Sequence, residues 1–168
     1  MSQTLATHNA YLSGDLELLK SLLGHPPDFP NCPGPPGMGR IILEYAIYWS
    51  PVRFIRALLD LGADPNYGDP AGFPSLIAAL STERADKHEI LRLLLSHGAD
   101  VGQRGVNDFT PLHYAAGLDD PKAIAILLEA GADPSAQTRI DDHETALEIA
   151  EHANNLGAAH ALKTFQEP

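Results

Sequence analysis

Residues 110–133 read TPLHYAAGLDDPKAIAILLEAGAD, and the fold follows from this stretch. Thr110 is placed to cap a helix, and Pro111 suits that helix's first turn, whose N–H groups have no intrahelical partner. Leu112, Ala115 and Ala116 then share one side of a short helix. Asp119-Asp120-Pro121 reverses the chain. A second helix carries Ile124, Leu127 and Leu128 at helical spacing, and Gly131 supplies the left-handed residue that stops it. Two short helices back to back cannot bury both apolar faces alone, so neighbouring copies of the unit are required.

The copies are present. A closing aspartate recurs as Asp28, Asp64, Asp100 and Asp133, at steps of 36, 36 and 33, and three of the four end a Gly-Ala-Asp triplet. The position of Leu112 recurs as Thr7, Leu43, Leu76 and Leu147. Paired leucines recur at 22–23, 58–59, 94–95 and 127–128 in the first four units, and the five opening positions make five units in all. From opening residue to closing aspartate the count is 21 in three units and 24 in the third, which places three extra residues between Ser81 and Asp86, lengthening a helix or its turn. From each aspartate to the next opening the count is 12 twice, 15 after Asp28 and 14 after Asp133. Insertions thus fall in turns and loops while the apolar positions keep register.

The TPLHxAA opening and LLxxGAD closing resemble an ankyrin repeat, a unit of about 33 residues. The resemblance implies an all-α solenoid of about five helix-turn-helix repeats joined by finger loops, with degenerate capping repeats at both ends. The chain reads as a single such domain, residues 1–168, with repeats at approximately 1–31, 37–66, 70–103, 106–136 and 141–168. The first unit keeps only His8 and Ala10 of the opening pattern, yet Leu16, Leu18, Leu19, Leu22 and Leu23 predict a wide apolar face on its second helix. The second opens Ile41-Ile42-Leu43-Glu44, without a capping side chain, and is expected to pack through Leu43, Ala46, Ile47, Phe54, Ile55, Leu58 and Leu59. In the fifth, Glu151, His160, Lys163 and Gln166 suit the outer surface of a cap. Residues 24–39 hold six prolines and four glycines and read as a solvated connector. Cys32, the only cysteine, excludes an intramolecular disulfide and is expected to be exposed there.

Residues 1–15 lack basic residues and a continuous apolar run, so no signal peptide is read, and no stretch reaches the roughly 18 apolar residues of a membrane helix. The expectation is a soluble, cytoplasmic monomer that binds no membrane. The net charge is −11, from 22 acids and 11 bases, which speaks against nucleic acid as partner. The charge is uneven: residues 108–168 hold 11 acids and 3 bases, residues 1–107 hold 11 and 8.

No phosphate-binding glycine loop, paired cysteine ligands, HExxH or GxSxG occurs. The expectation is therefore no catalysis, no metal and no cofactor. Of the eight histidines, His113 fills the family slot that orders the turn by hydrogen bonding. Asp141, Asp142 and His143 could meet a cation, but three adjacent residues fix no ligand geometry. An enzyme or metal-dependent protein using the His, Asp and Glu side chains of residues 141–152 is the alternative reading.

In ankyrin proteins the finger residue before TPLH and the two residues after the Ala pair commonly line the concave recognition face. Carried over, the first slot holds Arg40, Phe73, Phe109 and Glu144, and the second includes Tyr48-Trp49 and Gly117-Leu118. Tyr45 and Tyr114 share the position after the motif's histidine. The resemblance thus implies a protein-binding face of Arg40, Tyr45, Tyr48, Trp49, Phe73, Phe109, Tyr114, Leu118, Asp119, Asp141, Asp142 and Glu144, although rings at helical spacing also serve as core. Asp120, Glu148 and Glu151 complete an acidic set beside the rings. Aromatic anchors beside acids suit a basic protein partner, which makes the chain a non-catalytic protein-protein interaction module, whether inhibitor, immunity-type protein or adaptor. A small-molecule receptor is disfavoured because an open concave surface encloses ligands poorly.

Overall fold

The computed structural model describes residues 3–34, 41–68, 71–140 and 143–166, and of Gln166 the backbone alone. Among the described residues ten α-helices form five antiparallel pairs: α1 (Gln3–Ser13) with α2 (Leu16–Leu22), α3 (Ile42–Trp49) with α4 (Val52–Asp60), α5 (Ser75–Leu80) with α6 (Lys87–Ser96), α7 (Pro111–Gly117) with α8 (Pro121–Glu129), and α9 (Ala146–His152) with α10 (Leu156–Gln166). No strand occurs among the described residues; isolated antiparallel bridges, Pro33 with Ile41 and Gln137 with Thr145, close two loops. The first helices stack as an inner row from α1 to α9, and the second helices as an outer row from α4 to α10. The core is accordingly a line of contacts between successive pairs.

Each repeat is started and stopped by side chains the sequence singles out. Thr110 Oγ1 accepts from the His113 amide, and the Thr110 amide donates to His113 Nδ1 at 3.2 Å. In the fifth repeat the same reciprocal cap is built by Thr145 and Glu148. The second repeat, as expected, has no side-chain cap at Ile41. At the other end, Gly62, Gly98 and Gly131 have φ of 90°, 87° and 91°, a region costly for residues with a Cβ. That conformation lets the amides of Ala63, Ala99 and Ala132 reach back to the carbonyls of Leu58, Leu94 and Leu127. The closing aspartates then make turns of their own: Asp64, Asp100 and Asp133 accept from the amides of Asn66, Gly102 and Ser135 at 2.8–2.9 Å.

The expected packing positions of the second repeat are all buried, as are Leu127 and Leu128, and Thr7 fills the place that leucine takes elsewhere. Glu151, His160 and Lys163 are exposed on the last repeat; the side chain of Gln166 is outside the described residues. Two expectations need correction. On α2 only Leu19 is fully buried and Leu18 is 42% exposed, because the terminal helix has one neighbour to bury a face against. Cys32 is buried at 3% exposure, not open to solvent, since the turns of residues 26–32 fold back on the first repeat; burial also pushes its thiol pKa up. Residues 35–40 of that connector lie outside the described residues. The three-residue insertion lengthens the turn between α5 and α6 and leaves α5 short. It supplies Arg84, which grips Asp86 with two nitrogens at 2.7 and 2.8 Å and donates to the carbonyls of Ile47 and Ser50. The extra turn thereby satisfies orphan carbonyls at the end of α3.

Candidate partner-binding face

The inner helices and the loops before them carry the residues expected to bind. Trp49 ends α3 with 52% of its surface exposed. Its ring lies edge-on to His8 with centroids 5.6 Å apart and tilted against Tyr45 at 6.3 Å. Tyr45 is half-buried, and its hydroxyl meets His8 Nδ1 at 2.8 Å. Tyr48 is half-buried and shares a 3.0 Å hydrogen bond with Ser81 of the next repeat. Phe73 lies edge-on to Tyr114, centroids 6.5 Å apart, and Phe109 stacks on His113 at 5.8 Å. These four, Tyr45, Tyr48, Phe73 and Tyr114, pack partly against the core, whereas Leu118 is 48% exposed. The rings therefore combine repeat-to-repeat contact with partial exposure, and Trp49 and Leu118 project furthest.

Several acids prove to be occupied. Asp119 Oδ1 accepts from the Ala158 amide at 2.7 Å, tying α7's end to α10. Asp120, expected in the acidic set, is buried instead: it caps α8 through the Ala123 amide and is held by Lys87 at 2.8 Å and His88 at 2.9 Å. Burial acts to raise the pKa of its carboxyl, but the hydrogen bonds from Lys87, the Ala123 amide and His88 together hold it below the usual range. The Glu144 carboxylate pairs with His152, Glu148 caps α9, and Glu151 pairs with Lys163. Arg40, Asp141 and Asp142 lie outside the described residues. His113 is fully buried; its Nδ1 accepts from Thr110 and its Nε2 donates to the Glu144 carbonyl at 3.0 Å, which fixes one neutral tautomer. Burial lowers its pKa further. Among the described residues no group of three or more His, Cys, Asp or Glu side chains could hold a metal.

Sequence reasoning carries Leu12-Ser13 into the second slot of the recognition face but misses the rest of the contribution of α1. Leu5, His8 and Leu12 follow one another at helical spacing and so share a face. Leu5 and Leu12 are 48% and 47% exposed, and Trp49 leans on the His8 between them. The i, i+3, i+7 spacing was available in the sequence, but the weak match of the first repeat to the TPLH pattern hid it.

The family model for ankyrin repeats in three copies matches residues 7–105 and again 77–166. The chain belongs to the ankyrin repeat family. This ankyrin repeat chain is 31% identical to mouse inversin over 124 residues, 74% of the chain and 11% of inversin. It is 39% identical to alpha-latroinsectotoxin-Lt1a of Latrodectus tredecimguttatus over 104 residues, 60% of the chain and 7% of the toxin. It is 30% identical to a putative ankyrin repeat protein of Rickettsia felis over 95 residues, 56% of the chain and 24% of that protein. The chain thus spans a quarter or less of the length of each of these relatives. Ankyrin repeats are generally protein-protein interaction modules and generally non-catalytic. No helix among the described residues is long and apolar enough to cross a membrane.

Proposed function

We propose that this chain is a non-catalytic module that grips a protein partner through the face lined by α1, α3 and the finger loops, with Trp49 as the central anchor. The observation that carries the reading is the half-exposed Trp49 beside Leu5 and Leu12. An exposed apolar group of this kind on an otherwise charged chain is costly to leave in water, and large rings of mixed polarity are the usual energetic anchors of interfaces. Tyr45, Tyr48, Phe73, Phe109, Tyr114 and Leu118 extend the face along the array, and the proposed set also includes Arg40, which lies outside the described residues.

The partner's surface is basic in this reading. Net charge of −8 over residues 108–168 gives the fourth and fifth repeats a negative field, to which Asp119, Asp141, Asp142 and Glu144 contribute charge. Such a field speeds encounter and selects the partner's sign more than it adds affinity. An inhibitor or immunity-type protein that covers a basic partner is the form of binding this arrangement serves best, acting as a monomer in the cytoplasm without cofactor. The test is affinity purification from the source cell with wild-type chain and with Trp49→Ala. The wild type should retain a basic protein, and Trp49→Ala should weaken its binding by about 1–4 kcal/mol with little change in melting temperature. Equal retention of the partner by both forms would remove Trp49 as the anchor.

A further inference from the structure

The outer face holds a second feature that the partner-binding reading does not use. Of the eleven Lys and Arg residues, ten are described, and seven of those are engaged. Lys20, Arg84, Lys87, Arg104, Arg139 and Lys163 form ion pairs, and Arg53 donates to the Ser13 carbonyl. The remaining three, Arg56, Arg92 and Lys122, are exposed and have no ion pair or hydrogen bond among the described residues. All three line one cleft of about 630 Å³. They come from three successive repeats: Arg56 from α4, Arg92 from α6 and Lys122 from α8. Leu93 gives the cleft an apolar patch, and Asp86, also at its wall, is already neutralised by Arg84. Glu89 is the one carboxylate in the cleft without an ion pair among the described residues.

On a chain of net charge −11, three cations without ion pairs against one such carboxylate in a single cleft are the exception that needs a reason. We infer that this cleft is a second binding site, which receives an extended acidic segment of a protein partner, its carboxylates meeting Arg56, Arg92 and Lys122 in turn. Neighbouring helices pack about 8–10 Å apart, so the three cations are spread over roughly 20 Å, far wider than a single phosphate. An extended segment of about six residues covers that distance at ~3.3 Å per residue. Guanidinium groups meet carboxylates through two parallel hydrogen bonds, which gives the site direction as well as charge. A long nucleic acid is disfavoured because it samples the whole acidic surface, whereas a short segment feels mainly charges within the ~8–10 Å screening length. The inference stands independently of the inner face: with both sites filled, the chain would join two proteins of opposite charge.

The test uses the full chain and a fluorescein-labelled hexaglutamate peptide, read by fluorescence anisotropy at low ionic strength. Wild type should bind the peptide and lose it as salt rises. The Arg56→Gln, Arg92→Gln, Lys122→Gln triple variant should bind at least tenfold more weakly, with an unchanged melting temperature, because these side chains are exposed and make no contact that the fold uses. Glu89→Gln should bind the peptide a fewfold more tightly, by removing the opposing charge. Trp49→Ala should bind it as wild type does, which separates this site from the inner face. Absence of peptide binding by wild type, or equal binding by the triple variant, would overturn the inference. Displacement by inorganic phosphate at equal charge would show a small-anion site, and tighter binding of a single-stranded oligonucleotide of equal charge a nucleic-acid site; either overturns it too.

Discussion

The first and fourth repeats have the same helix-turn-helix plan but are fastened to their neighbours by different means. The fourth is held by polar groups at fixed geometry and by aliphatic packing: the Thr110 and His113 cap, the bond from His113 to Glu144 in the next repeat, and Leu127 with no exposed surface. Its finger also reaches the preceding repeat, where the Val106 amide donates to the Gly72 carbonyl at 2.8 Å. The first repeat lacks the TPLH cap and docks through rings: buried Tyr11 lies 4.7 Å from Tyr45 and 5.9 Å from Phe54, centroid to centroid, while His8 touches Tyr45 and Trp49. Aromatic docking tolerates a degenerate sequence, because a large ring fills space without an exact motif. It also leaves part of the ring set at the surface, where a partner can reach it.

The largest effect expected from this contrast is at Leu127. Leu127→Ala leaves a cavity in the middle of a linear array and should cost about 2–5 kcal/mol, lowering the transition of the whole chain. Tyr11→Ala removes a comparable volume, yet in a repeat with one neighbour; it should release the first repeat ahead of the rest. Trp49 sits at that junction, so its fluorescence should change at lower denaturant than the far-UV dichroism. Coincident curves for Tyr11→Ala would mean that the first repeat is coupled as firmly as the fourth.

A smaller effect tests the finger contact. A Cβ built on Gly105 would collide with the Gly72 carbonyl oxygen and lie 2.7 Å from Ile77 Cδ1. Gly105→Ala must therefore push the third and fourth repeats apart, at a cost of about 1–3 kcal/mol. Gly131→Ala provides a second measure of backbone demand, since open space surrounds it and only its φ of +91° opposes a side chain. Thermal unfolding of the two variants distinguishes steric separation of repeats from local strain.

The fold was legible because its periodic positions are set by local chemistry: paired leucines recur in four repeats, a glycine at positive φ closes three of them and a threonine caps two, with the insertions confined to the turns and loops between. Tyr11 was not legible, since nothing in the sequence marks a ring that enters the gap left by a missing motif. The inner face was legible as positions but not as exposures. Tyr45 and Tyr48 occupy the slots that the family resemblance assigns, yet both also bond to neighbouring repeats. Asp120 was misread because a cap and an acidic surface residue look alike until Lys87 and His88 are seen to converge on it. The three cations of the outer cleft come from separate repeats, at positions 56, 92 and 122, so their convergence is invisible along the chain.

Acid should loosen the fourth repeat in two steps. Burial depresses the pKa of His113, so its contribution is complete above the ordinary imidazole range near 6.5 and declines as pH falls below it. Asp108 is bound by Arg104 and Arg139, whose hydrogen bonds hold its carboxyl at about 2. Its contribution is complete above the unfolded value near 3.9 and disappears as pH falls toward 2. Melting temperature against pH should therefore slope downward below about 6.5 and again between about 4 and 2. His113→Gln should abolish the upper slope and Asp108→Asn should reduce the lower one. An unchanged upper slope in His113→Gln would assign it to another histidine.

The smallest effect concerns a clamp that two junctions have and the next does not. Asn31 donates to the Gly62 carbonyl and accepts from the Asp64 amide, both at 2.8 Å, and thus pins the end of the second repeat to the first. Asn66 repeats this one step on, donating to the Gly98 carbonyl and accepting from the Asp100 amide. The corresponding residue of the third repeat is Gly102, two residues after its closing aspartate just as Asn66 follows Asp64. Its backbone makes the same turn, with the amide donating to Asp100 at 2.8 Å, and a Cβ there would meet only that carboxylate at 3.4 Å. An asparagine at this position should therefore reach the Gly131 carbonyl and the Asp133 amide. Gly102→Asn should stabilise the chain in two ways, and Gly102→Ala separates them. Both substitutions restrict the unfolded chain, worth about 0.4–1 kcal/mol, but only asparagine adds the clamp, worth about 0.5–1.5 kcal/mol more. If the two variants melt at the same temperature, the asparagine clamp contributes nothing at this junction, and the fourth repeat is already fully fixed by its finger and its histidine.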